Sequence, residues 1–173
     1  GARLMHAVVA TGSEAKALTE RMDTVSLCLS KGLGAPVGSV LSGPRDFVAR
    51  ARRNRKMLGG GLRQSGVLAA CGLYALENNV ERLAEDHANA AELGARLSAM
   101  NGIALAQPVE TNMVWLTIDV PDDAPSLAAF MAERSIVMAD PGADGGLRLV
   151  AHLDFDAGMI DAVVDAFSAW FAA

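Results

Sequence analysis

Lys31 is the residue in this chain best placed for covalent chemistry. It follows Thr24-Val25-Ser26-Leu27-Cys28-Leu29, whose alternation and β-branched start predict a strand ending at Ser30-Lys31-Gly32. A lysine amine becomes a nucleophile toward an aldehyde when nearby cations or an apolar pocket lower its pKa. A lysine at a strand end with glycines after it can turn its amine into a cleft while the backbone packs closely against a flat ligand. Taken alone, the pattern also describes an ordinary surface-loop lysine.

A second concentration of chemistry lies downstream. Between Arg45 and Arg63 the chain carries Arg45, Arg50, Arg52, Arg53, Arg55, Lys56 and Arg63 against Asp46 alone, with Gly59-Gly60-Gly61 near its end. Such a run fits an anion, a nucleic acid or a solvated helix face. Nucleic acid is disfavoured: Phe47 is its only aromatic company, beside apolar residues such as Val48 and Met57, no recognised motif accompanies it, and the whole chain has a net charge of -5.

The elements that would position these groups follow from periodicity. Apolar residues from Ala2 to Thr11 recur at helical spacing, and a short helical stretch follows through Leu18 to Met22. Val37 to Leu41 reads as a second strand, closed by Gly43-Pro44, so that strands flank Lys31 on both sides. Arg45 to Leu58 and Gln64 to Leu76 are predicted helices separated by the glycines, and Val80 to Met100 is a long amphipathic helix stopped at Asn101-Gly102. Beyond it, strands at 103–105, 114–118, 136–138 and 147–151 alternate with helices at 126–135 and 156–171, as in a small α/β domain.

The segment Leu27-Cys28-Leu29-Ser30-Lys31-Gly32-Leu33-Gly34-Ala35-Pro36-Val37-Gly38-Ser39-Val40 resembles the cofactor-lysine segment of the L-threonine aldolases. Gly1-Ala2-Arg3-Leu4-Met5, the run from Arg55 to Gln64, residues 70–90 and the stretch from Arg148 to Asp154 resemble the same family in the same order. The resemblance implies an α/β chain of the aspartate-aminotransferase-like, fold-type-I class. Residues 1–85 would be the C-terminal part of a large, mostly parallel-sheet domain and residues 86–173 the small C-terminal domain.

It further implies pyridoxal 5'-phosphate as cofactor, with Lys31 as the lysine that holds it through a Schiff base. Lys56 and Arg63 would reach the cofactor phosphate of a neighbouring subunit in a homo-oligomer, a tetramer. Arg3 and Arg148 would hold the substrate carboxylate, for which a planar guanidinium offers paired donors. The implied reaction cleaves threonine or allo-threonine to glycine and an aldehyde. A β-eliminating lyase, an aminotransferase, or an inactive module that binds anions remain alternatives on the same residues. In the family, the aspartate at the pyridine nitrogen, the phosphate loop and the histidines of the site precede the Gly-Ala-Arg triplet. Because the chain opens at Gly1 without methionine, an N-terminal half of the same enzyme is expected as its partner.

Other residues suggest less. Cys28 and Cys71 stand far apart, outside any CxxC or Cys/His cluster, so they read as small buried thiols rather than metal ligands. His6 and His87 fall on helical stretches and read as ordinary surface or partly buried residues, while His152 either supports Arg148 or is structural. With neither an apolar run of membrane-spanning length nor a signal-peptide pattern, a cytoplasmic location without membrane contact is expected.

Overall fold

The computed structural model describes residues 1–120 and 124–172. The chain divides into two compact units, Gly1–Leu83 and Ala84–Ala173.

In the first unit α1 (Leu4–Thr11) ends at Gly12, whose φ of 64° supplies the left-handed stop. After α2 (Ala15–Thr19) come β1 (Val25–Cys28) and β2 (Ser39–Ser42), paired antiparallel with Cys28 opposite Ser39. The helices α3 (Arg45–Met57) and α4 (Gly66–Asn78) follow. Their core is small: Leu29, Leu33, Ala35, Ala75 and Leu83 are buried, with Met5 and Val9 of α1 and Leu27 of β1 packed against them.

The described residues pair only in antiparallel ladders, which departs from the mostly parallel sheet expected for this half. The connection between β1 and β2 accounts for it locally. A parallel pair needs a crossover of a dozen or more residues, commonly a helix, whereas residues 29–38 form an irregular loop that folds straight back.

In the second unit α5 (Leu83–Ser98) is followed by the antiparallel sheet β3 (Ile103–Leu105), β4 (Met113–Ile118) and β5 (Gly146–Val150), with β4 central. The alternation along β4 buries Val114, Leu116 and Ile118 on one face. Against that face lie Ala90, Leu93 and Leu97 of α5, Leu127 and Met131 of α6 (Leu127–Ala132), and Ile160, Phe167 and Trp170 of α7 (Ile160–Phe171). Burying each of the largest of these contributes on the order of 2–3 kcal/mol. The Trp170 indole N–H is satisfied by the Pro125 carbonyl at 2.9 Å.

Two expectations need correction here. Residues 136–138 form no strand: α6 ends early, Ser135 takes a left-handed φ of 61°, and the Ile136 N–H bonds back to the Met131 carbonyl, which uses the group a ladder would need. The final helix is shorter at its start than 156–171, being preceded by a 3-10 turn over Ala157–Met159.

Candidate functional site

Lys31 stands in the loop between β1 and β2, and its side chain is exposed. The backbone beneath it is fixed from several directions. The Leu29 N–H bonds to the Gly38 carbonyl at 3.0 Å and the Ala35 N–H to the Leu29 carbonyl at 3.0 Å, while the Gly34 N–H closes a tight turn on the Lys31 carbonyl at 2.7 Å. Gly34 and Gly38 have φ values of 72° and 108°, a region where side-chain-bearing residues are strained.

Side chains complete the clamp. Leu29 and Leu33, on either side of Lys31, are buried. The Asn79 side-chain amide donates to the Leu33 carbonyl at 2.7 Å. Gly72 of α4 faces Leu29 so closely that a Cβ there would lie 2.9 Å from its Cδ1. Sequence reasoning missed another contact: His6 of α1 is buried and packs on Gly32, the residue after the lysine. The geometry is that of an exposed amine on a loop held by hydrogen bonds and buried flanking leucines.

Cys28, at the end of β1, is half-buried rather than buried, as is Cys71. Its sulfur lies 3.6 Å from the Ser30 hydroxyl. The hydrogen bond with Ser30 is the main cause holding the thiol below its usual pKa, burial opposes it, and the charge of Lys31 adds a further lowering.

The glycine run after α3 forms a Schellman stop. Gly59 takes a φ of 85°, its N–H bonds to the Lys56 carbonyl at 3.3 Å, and the Gly60 N–H bonds to the Arg55 carbonyl at 2.8 Å. The turn folds the chain back over α3, so that a Cβ on Gly61 would lie 2.8 Å from Lys56 Nζ. Lys56 and Arg63 are exposed, and Gln64, the residue after Arg63, takes a left-handed φ of 52°. The structure thus concentrates exposed cations around a glycine turn, an arrangement suited to an anion.

Arg3, immediately before α1, is exposed. In the second unit Arg148 lies on β5 opposite Trp115 of β4, on the face away from the core, with its guanidinium carbon 5.6 Å from the indole ring centre. It lines a groove of about 600 Å³ with Ile136, Met138, Phe155 and Met159. His152 lines the same groove, and its Nδ1 accepts the Asp154 N–H at 3.2 Å. Among the described residues no group of three or more His, Cys, Asp or Glu side chains is arranged to hold a metal ion, and no helix is long and apolar enough to cross a membrane.

A family model described as beta-eliminating lyase matches residues 1–121. The low-specificity L-threonine aldolase of Escherichia coli O157:H7 is 49% identical over 154 residues, which cover 89% of this chain and 44% of that protein. Low-specificity L-threonine aldolase 1 of Arabidopsis thaliana is 40% identical over 157 residues, covering 88% of this chain and 43% of that protein. The chain therefore spans less than half the length of these relatives. Among solved structures, a protein assigned as an aromatic amino acid beta-eliminating lyase/threonine aldolase from Exiguobacterium sp. 255-15 superposes with a TM-score of 0.76 at 22% identity, over 99% of this chain and 51% of that one. This establishes the α/β fold.

Proposed function

Because the chain belongs to the beta-eliminating lyase family, we propose that the full-length protein is a pyridoxal-phosphate-dependent carbon–carbon lyase that cleaves threonine or allo-threonine to glycine and acetaldehyde. The observation that carries this reading is the 49% identity to a low-specificity L-threonine aldolase across 89% of the chain.

The residues present fit the cofactor. An exposed primary amine on a hydrogen-bonded loop suits attachment to an aldehyde, since the amine is accessible and its backbone is held in place by several bonds. The exposed cations of Lys56 and Arg63 at the glycine turn suit a phosphate dianion. When bound, the cofactor supplies an electron sink for the bond that breaks at the substrate's α-carbon.

The rest of the work falls to the protein. In this reading Lys31 would hold the cofactor through its amine. Arg3 and Arg148 bind the substrate carboxylate and fix the orientation of the breaking bond, a matter worth several powers of ten in rate. Lys56 and Arg63 act on the phosphate of a neighbouring subunit, which makes the functional unit a homo-oligomer, a tetramer in this reading. Residues 1–85 then belong to a large cofactor domain whose sheet is completed by chain outside this one, and residues 86–173 form the small domain.

The test uses the full-length protein with L-threonine and L-allo-threonine. Glycine and acetaldehyde in equal amounts are expected, with Lys31→Ala lowering turnover by at least about a thousandfold. Undiminished release from Lys31→Ala overturns the reading. Pyruvate with ammonia, or a keto acid, in place of glycine would assign a β-eliminating lyase or an aminotransferase instead.

A further inference from the structure

His6 of α1 is 5% exposed, although it sits near the beginning of the chain on a helix that offers ample surface. Its ring is seated against Gly32. A Cβ at Gly32 would lie 2.5 Å from His6 Nε2 and 3.1 Å from Cε1, with Leu83 Cδ2 at 3.3 Å beyond. Separations under 3.0 Å are essentially never seen for real Cβ atoms.

Backbone conformation does not explain this glycine. The left-handed glycines of the loop are Gly34 and Gly38, and Gly32 is absent from that set. A side chain at Gly32 would meet the His6 imidazole first and the Leu83 side chain next, so one of them would have to shift. The ring is held by a helix packed through Met5 and Val9 on the first unit's core, so the loop rests on a stiff support.

We propose that His6 is a positioning residue for Lys31: its imidazole edge, seated on Gly32, sets the height and direction at which the lysine leaves the loop. The inference rests on the cofactor reading above, but it concerns how the amine is aimed, not what it reacts with. A misplacement on the order of 1 Å at such a group costs about a hundredfold in rate, so a fixed ring seated on the neighbouring residue bears directly on how the amine is aimed.

The experiment compares wild type, His6→Ala, His6→Gln, Gly32→Ala and the double variant His6→Ala/Gly32→Ala in the full-length protein. After the cofactor is stripped, pyridoxal phosphate is added back. Its attachment is followed by the visible absorbance of the lysine-bound form and by borohydride trapping mapped to Lys31, with the melting temperature measured in parallel. His6→Ala is expected to slow attachment about tenfold or more, and His6→Gln, which restores a polar group of similar reach, to recover most of it.

Gly32→Ala is expected to slow attachment in the wild-type background and to have little further effect once His6 is alanine, because the new methyl then occupies the space left by the ring. Attachment at the wild-type rate in His6→Ala, or an equal effect of Gly32→Ala in both backgrounds, overturns the inference. Should His6→Ala fail to fold, the same comparison runs on His6→Gln, whose flexible end can yield to the methyl. A wild-type protein that takes up no cofactor at Lys31 defeats the cofactor reading and this inference with it, whereas uptake insensitive to residue 6 removes the inference alone.

Discussion

Asn112 and Ala151 are joined by hydrogen bonds running in both directions: the Asn112 side-chain amide donates to the Ala151 carbonyl at 2.8 Å, and the Ala151 N–H donates to the Asn112 carbonyl at 2.8 Å. The pair is buried and extends the β4–β5 ladder beyond its last regular rung, three residues after Arg148. Asn112→Ala leaves a buried carbonyl without its donor, and denaturant unfolding should show a loss of about 1–3 kcal/mol. Asn112→Asp, which removes the donor and adds a buried negative charge beside that carbonyl, should be at least as damaging. Unchanged stability in both would mean that the ladder end is held by something else.

The glycine turn separates two effects that one substitution usually mixes. Gly59 has a φ of 85°, so Gly59→Ala should destabilise the end of α3 by about 1 kcal/mol through backbone strain. At Gly61 the atoms in the way are Lys56 Cδ and Nζ, the far end of an exposed side chain that can swing aside. Gly61→Ala should therefore leave the melting temperature nearly unchanged while weakening pyridoxal-phosphate binding several-fold, as expected if the displaced ammonium serves the phosphate. Equal affinity in the two proteins would release Lys56 from that role.

What the amino-acid order revealed, and what it hid, divides along a physical line. The strand before Lys31, the helix break at Gly59 and the bounds of Ile103–Leu105 were readable because alternation, glycine and short apolar runs act within a few residues. The burial of His6 is a tertiary fact: its three-residue spacing to Val9 put it on the packed side of α1, but nothing local distinguishes a ring facing a loop from one facing water. Asn112 hides for the same reason, since its partner lies 39 residues away. Residues 136–138 erred in the opposite sense, as β-forming composition was overridden by a turn that consumed the backbone donor of Ile136.

Arg148 offers a test of substrate binding with little risk to the fold. Its side chain is exposed, faces away from the core and lies over Trp115. Arg148→Lys keeps the charge but loses the planar fork, and Arg148→Ala loses both. In the full-length protein KM for threonine should rise roughly tenfold or more for the lysine variant and further for the alanine variant, since each lost charge-assisted bond is worth about 1.5–3 kcal/mol. Melting temperatures should stay near wild type. A fall in kcat with KM unchanged would argue that the guanidinium acts elsewhere than on the bound carboxylate.

Protonation of His87 on α5 should make stability fall with acid before the carboxylates begin to titrate. The ring is half-buried, and burial, opposed in part by the negative charge of Asp86, holds its pKa below the ordinary value of 6.5. In the window between the lowered folded value and 6.5 the unfolded chain binds more protons than the folded one, so the derivative of unfolding free energy with pH is positive. His87 thus contributes stability that is fully present above the unfolded value and lost as pH falls through the folded one. Asp140, kept low chiefly by the Ala128 N–H and then by the Ser126 hydroxyl, acts in the same direction but only within the more acidic carboxylate range, so the two contributions separate along the pH axis. Denaturant midpoints of wild type and His87→Gln measured at intervals below about pH 6.5 should diverge in slope, the variant being flatter just below 6.5 and the two running parallel in the carboxylate range. Identical slopes throughout would show that this imidazole meets water as freely in the folded protein as in the unfolded chain.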